Sequence, residues 1–144
     1  MFLIPRSERV LDARQPNQLL LLSGMMAPEE SYYPLGRFLR ATHQEYSVAV
    51  LPLLFSLEDF DAIVHRAASH VFRELKSSPK RIVLFGHSHG GRVATKLAET
   101  LKERYPEAEL YVITAGTPMV HRPDTLPLHY RLWFSLSRAY RTWP

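Results

Sequence analysis

The chain has 144 residues, 46% of them hydrophobic and 22% charged, with no cysteine and a formal net charge of +4 at pH 7. That length suits one domain, residues 1–144, around a single hydrophobic core. The lack of cysteine excludes a disulfide framework, a thiol nucleophile and a thiolate metal site, and the apolar runs fall short of the ~20 residues of a spanning helix. Pro5 and Arg6 interrupt the apolar start too early for a signal peptide, so a cytoplasmic location is expected.

Residues 1–17 form an Arg-containing leader with two prolines and room for one short edge strand, at residues 2–4 or around Val10 and Leu11. Leu19 to Leu22 is a continuous apolar run closed by Ser23-Gly24, which predicts a strand buried on both faces. A loop-like stretch, residues 27–31, precedes Leu35, Phe38 and Leu39, whose spacing predicts a helix ending near His43. Residues 46–54 read as the next strand. A helix is expected from about Leu57, with Ser56 as N-cap and Glu58, Asp59 and Asp61 at the positive end of its dipole. Its apolar face is Ile63, Val64, Ala67, Val71, Phe72 and Leu75.

Residues 81–85 predict a third strand, followed by a tight turn over residues 86–91. The next helix places Val93, Ala94, Leu97, Ala98 and Leu101 on one face, and Pro106 closes it. Residues 110–114 are a fourth strand, ended by Ala115-Gly116-Thr117-Pro118. Alternation of strand and helix with short joints predicts a three-layer α/β/α domain with a mostly parallel sheet and right-handed crossovers. Farther on, Leu132, Phe134 and Leu136 alternate with Arg131, Trp133 and Ser135, so residues 130–137 read as a fifth strand.

The chemistry concentrates at Gly86-His87-Ser88-His89-Gly90-Gly91. A Gly-x-Ser-x-Gly turn that follows an apolar strand and opens an amphipathic helix presents its serine on a strained corner, above the carboxyl end of the sheet. Small residues two positions before and after the serine are needed there to avoid neighbouring chain. Gly86, Gly90 and Gly91 supply them. Two other readings of the turn are weaker. It lacks the Lys of a phosphate-binding Gly-rich loop, and His87 and His89 point apart around a tight turn, so no metal and no cofactor is expected.

The run Gly-His-Ser-His-Gly-Gly resembles the nucleophile elbow of lipases and esterases of the α/β-hydrolase fold. Residues 113–118 resemble the strand and Gly-Thr-Pro turn of the lipase-like branch, and residues 19–24 stand where that family has the strand before its oxyanion loop. The resemblance implies a serine hydrolase of carboxylic esters acting through an acyl-enzyme on Ser88. The backbone N–H groups of His89 and Met25 would hold the oxyanion. Ser23-Gly24 departs from the His-Gly of many lipases, while Met25-Met26 would line an acyl pocket.

A serine hydroxyl needs a base, and the base needs an acid to hold it; the family's chain order is serine, acid, histidine. Downstream of the elbow helix and its exit, Asp124 is the only side-chain carboxylate, and the histidines are His121 and His129. His121 with Asp124 is the assignment preferred on position. The alternative is a chain that stops one strand and one helix before the family's histidine: a truncated or catalytically silent α/β-hydrolase-like domain that binds a partner.

The expected partner is a small-molecule ester or lipid. The terminal aromatics Trp133, Phe134, Tyr140 and Trp143, with Arg131, Arg138 and Arg141, suit a peripheral membrane contact or a homo-oligomer contact. With no binding motif to accompany the charge, no nucleic-acid partner is expected.

Overall fold

The computed structural model describes residue 8 and residues 10–24, 27–51 and 59–117. In chain order these form β1 (Asn17–Leu22), a 3-10 turn (Glu29–Tyr32), α1 (Tyr33–Thr42), β2 (Tyr46–Leu51), α2 (Phe60–Glu74), β3 (Arg81–His87), α3 (His89–Arg104) and β4 (Glu109–Ala115). The sequence-based order of elements is reproduced across this span. The expected strand at residues 2–4, the fifth strand at residues 130–137 and the Ser56 N-cap lie outside the described residues.

Three local expectations change. No strand forms around Val10 and Leu11. Leu11 instead drops alone into the core, and the leader is held by side chains. The Asp12 N–H donates to Ser47 Oγ at 2.8 Å, and the buried Gln18 amide donates to the carbonyls of Asp12 and Gln15. Helix α2 starts at Phe60 rather than near Leu57, because Asp59 keeps an extended backbone and takes the N-cap while Phe60 buries its ring. The loop-like stretch after Gly24 contains the 3-10 turn, which runs directly into α1 through Pro34 in the first helical turn.

The described strands form one parallel sheet in the order β2-β1-β3-β4. Period-2 alternation divides their side chains between two layers. Leu20, Leu22, Ala49, Leu51, Ile82 and Leu84 face α2 and α3, meeting Ile63, Val71, Leu97 and Leu101. Leu21, Val48 and Val50 face the other way, toward Tyr33 on α1. This sidedness follows from crossover handedness. The step from β1 to β2 runs one way along the sheet, whereas β2 to β3 and β3 to β4 run the opposite way. Right-handed crossovers therefore put α1 on one face and both α2 and α3 on the other.

The same reversal makes β1 and β3 the switch point of the sheet. Their carboxyl ends lead into connections that diverge to left and right, which leaves a crevice between them. The register aligns Leu22 at the end of β1 with Gly86 near the end of β3, so Ser88 emerges at that crevice.

Candidate active site

Ser88 has φ 53° and ψ −126°, the only positive φ among the described non-glycine residues. Such a backbone costs about 1–3 kcal/mol and persists where its surroundings over-determine it. Here the Ser88 N–H donates to the Ala115 carbonyl at 2.9 Å, and the Ser88 carbonyl accepts from the Gly91 N–H at 3.0 Å. The corner is clamped from β4 on one side and from α3 on the other.

The clamp works only with glycines around it. A Cβ on Gly86 would press into the backbone of Gly90 and Gly91. One on Gly90 would overlap the carbonyl oxygens of Leu22 and Ser23, and one on Gly91 would overlap the Thr117 hydroxyl. The first turn of α3 is thus packed directly against the end of β1. That contact brings the helix N-terminus, with its partial positive charge, up to the crevice.

Ser88 stands at the N-cap of α3 but makes no side-chain cap bond. Serine at this position ordinarily accepts from the N–H of the second or third helical residue; the strained backbone turns the hydroxyl away from that role. It is half-buried. The His89 N–H follows as the first of the helix, at the end where backbone N–H groups point outward along the axis toward anions.

The two flanking histidines diverge, as the tight turn requires. The His87 ring is exposed and stands 6.3 Å from the Tyr32 ring. His89 is 5% exposed and meets the Phe60 ring edge-on at 5.8 Å. Burial, aided by the nearby Arg92 charge, pushes the His89 imidazole down from 6.5 to about 4. Its side chain is therefore a neutral packing group beneath the elbow at physiological pH.

The remaining expectations divide clearly. Met25, His121 and Asp124 lie outside the described residues. His43, at the end of α1, is close to Glu45, and His70 on α2 hydrogen-bonds Arg73. Arg81 pairs with Glu109 where β3 and β4 begin, at the end of the sheet opposite Ser88. Sequence reasoning overlooked Tyr32, and it noted Thr117 only as part of a turn; both reach the elbow from other elements. Tyr32 carries no motif and reaches His87 from the 3-10 turn before α1, while Thr117, from the Gly-Thr-Pro turn after β4, meets Gly91. No described helix is long and apolar enough to cross a membrane.

Comparison with known proteins agrees with this architecture. A search of curated proteins gave no significant match. Among solved structures the chain is similar to esterase B from Lactobacillus rhamnosis, in a structure titled as inhibited with a tributyrin phosphonate. The TM-score is 0.52 at 15% sequence identity, over 90% of this chain and 47% of that one. The chain thus spans about half the length of that enzyme, and at this identity the likeness concerns the fold. A family model for alpha/beta hydrolases matches residues 19–144. With a strained serine corner at the switch point of a parallel α/β sheet, and that match over most of its length, the chain belongs to the α/β-hydrolase family.

Proposed function

We propose that the protein is a serine hydrolase that cleaves a carboxylic ester, of a small molecule or a lipid, through an acyl-enzyme on Ser88. The observation that carries this reading is the Ser88 hydroxyl. It sits on a strained corner, does not cap its helix, and lies at the crevice between the diverging carboxyl ends of β1 and β3. A structural N-cap would use that oxygen for the helix.

In the proposed reaction Ser88 Oγ attacks the ester carbonyl carbon and gives its proton to the His121 imidazole, oriented by Asp124. The carbonyl oxygen becomes an oxyanion that the N–H groups of His89 and Met25 receive, aided by the dipole of α3. Collapse breaks the bond to the alcohol oxygen, which leaves with the proton from the imidazolium. Water, deprotonated by the same histidine, then attacks the acyl carbon, and Ser88 regains its proton. Membership of the family and the fold shared with an esterase support this reading.

A fluorophosphonate probe, read by intact mass, tests it. Wild type is expected to gain one adduct, Ser88→Ala none, and His121→Ala to react at least about a hundredfold more slowly. Folded wild-type protein that resists the probe and does not turn over p-nitrophenyl esters would refute the hydrolase reading. It would favour a domain that keeps the elbow as a binding scaffold.

A further inference from the structure

The row of side chains that β3 turns toward α1 ends at the serine corner. Ile82 and Leu84 point into the core beneath α2 and α3, so Val83, Phe85 and His87 alternate onto the opposite face. Phe85 packs there against the cluster under α1, as does Tyr32 from the 3-10 turn. His87 stands two residues beyond Phe85, at the carboxyl end of the strand, paired with Ala115 of β4. It is the last residue before Ser88, and its side chain is exposed.

Three neighbours define where the His87 ring lies. A Cβ built on Gly24 would meet Ser88 Cβ at 3.1 Å and His87 Nδ1 at 3.4 Å. The nucleophile's side chain and one edge of the imidazole thus open onto the same glycine. On the other side, a Cβ built on Gly116 would lie 3.7 Å from His87 Nε2 and 3.9 Å from Cδ2. Gly116 has a φ of 56°, a conformation that favours glycine. The Tyr32 ring closes the α1 side at 6.3 Å, with the planes tilted by 46°. The imidazole is therefore part of the crevice wall beside Ser88, whereas His89 is buried beneath the elbow.

An imidazole in such a wall discriminates between bound groups. It offers an N–H donor in either protonation state. The acyl part of an ester remains attached to Ser88 through both halves of the proposed reaction, so a donor this close to Ser88 acts on it throughout. A chain of methylenes would strip water from the imidazole without replacing the lost hydrogen bond. A chain with an oxygen near the carbonyl would restore it.

We propose that His87 is a specificity-determining residue of the Ser88 site, donating a hydrogen bond to an acceptor atom in the acyl part of the substrate. The preferred esters are then those of oxygen-bearing acids, such as alkoxy or hydroxy acids, rather than of plain fatty acids. The proposal rests on the ester-hydrolase reading and narrows its substrate class.

The experiment compares p-nitrophenyl methoxyacetate with p-nitrophenyl butyrate, in which a methylene replaces the ether oxygen at equal chain length. The two esters differ in intrinsic reactivity, so the quantity read is the ratio of their kcat/KM values relative to the wild-type ratio. In His87→Leu that ratio is expected to fall about threefold to tenfold, the worth of one neutral hydrogen bond. His87→Ala, a second variant without a donor, should show the same fall. In His87→Gln, whose amide can donate from a similar position, most of the loss should be recovered. A ratio unchanged in the leucine and alanine variants would overturn the proposal. So would an equal fall in the leucine and glutamine variants, since ring shape rather than the hydrogen bond would then discriminate. Failure of the underlying reading looks different. Wild type that neither reacts with fluorophosphonate nor turns over either ester removes the hydrolase and this assignment together, whereas a reactive wild type with constant ratios removes only the role of His87.

Discussion

His89 makes stability depend on pH between about 4 and 6.5. Its imidazole is buried against Phe60 and held down to about 4, against 6.5 for the unburied group. The unfolded chain therefore binds a proton between these values while the folded one does not, and stability must rise with pH across the interval. The His89 contribution is fully present above pH 6.5 and is lost as the pH falls toward 4. At 1.36 kcal/mol per unit, the whole interval corresponds to about 3 kcal/mol, of which about 2 kcal/mol is gone by pH 5. The test is urea unfolding at pH 7.5 and pH 5 for wild type and for His89→Phe, which keeps an aromatic ring facing Phe60 but cannot titrate. With a slope of about 1–3 kcal/mol per molar urea for a small domain, the wild-type midpoint should fall by about 1 M more than that of the variant. Parallel pH dependence in the two proteins would refute the argument and would mean that His89 is hydrated or charged beneath the elbow.

Two further outcomes concern the elbow's backbone. Ser88→Gly should unfold at higher urea than Ser88→Ala, by the equivalent of about 1 kcal/mol, because glycine adopts a positive φ without the Cβ penalty that alanine retains. Equal stabilities would mean that the corner is unstrained. Gly90→Ala should cost about 3 kcal/mol, since its methyl would meet the carbonyls of Leu22 and Ser23, whereas Gly36→Ala on α1 should be neutral or stabilising by up to about 1 kcal/mol. Thermal denaturation of the pair checks this; similar losses at the two sites would contradict the close approach of α3 to β1.

Much of the scaffold could be read from local pattern. The apolar run Leu19 to Leu22, the helical spacing of Ile63, Val64, Ala67 and Val71, and the Gly-x-Ser-x-Gly turn between an apolar strand and an amphipathic helix each report a local property. Burial on two faces, burial on one face and steric room at a corner are written in neighbouring residues, so their positions matched the observed elements closely. Boundaries were less legible where competing signals adjoin. At the start of α2, Asp59 keeps an extended backbone at the N-cap position while Phe60, the first helical residue, is buried, a tertiary contact that the neighbouring sequence does not record. Val10 and Leu11 have strand propensity, but Gln18, Asp12 and Ser47 bind the leader through side chains instead.

The sequence by itself determined the fold class, the identity of the corner serine and the glycines that let the chain turn there, because these depend on residues within a few positions of one another. Only the tertiary structure decided what faces that corner. The strand order β2-β1-β3-β4 opens the crevice at Ser88, and the pairing of Leu22 with Gly86 brings Gly24 against the serine. The packing of α2 against α3 turns His89 into a buried neutral group while its neighbour His87 stays exposed. These are contacts between residues tens of positions apart, set by sheet register and crossover handedness, and no short stretch of sequence records them.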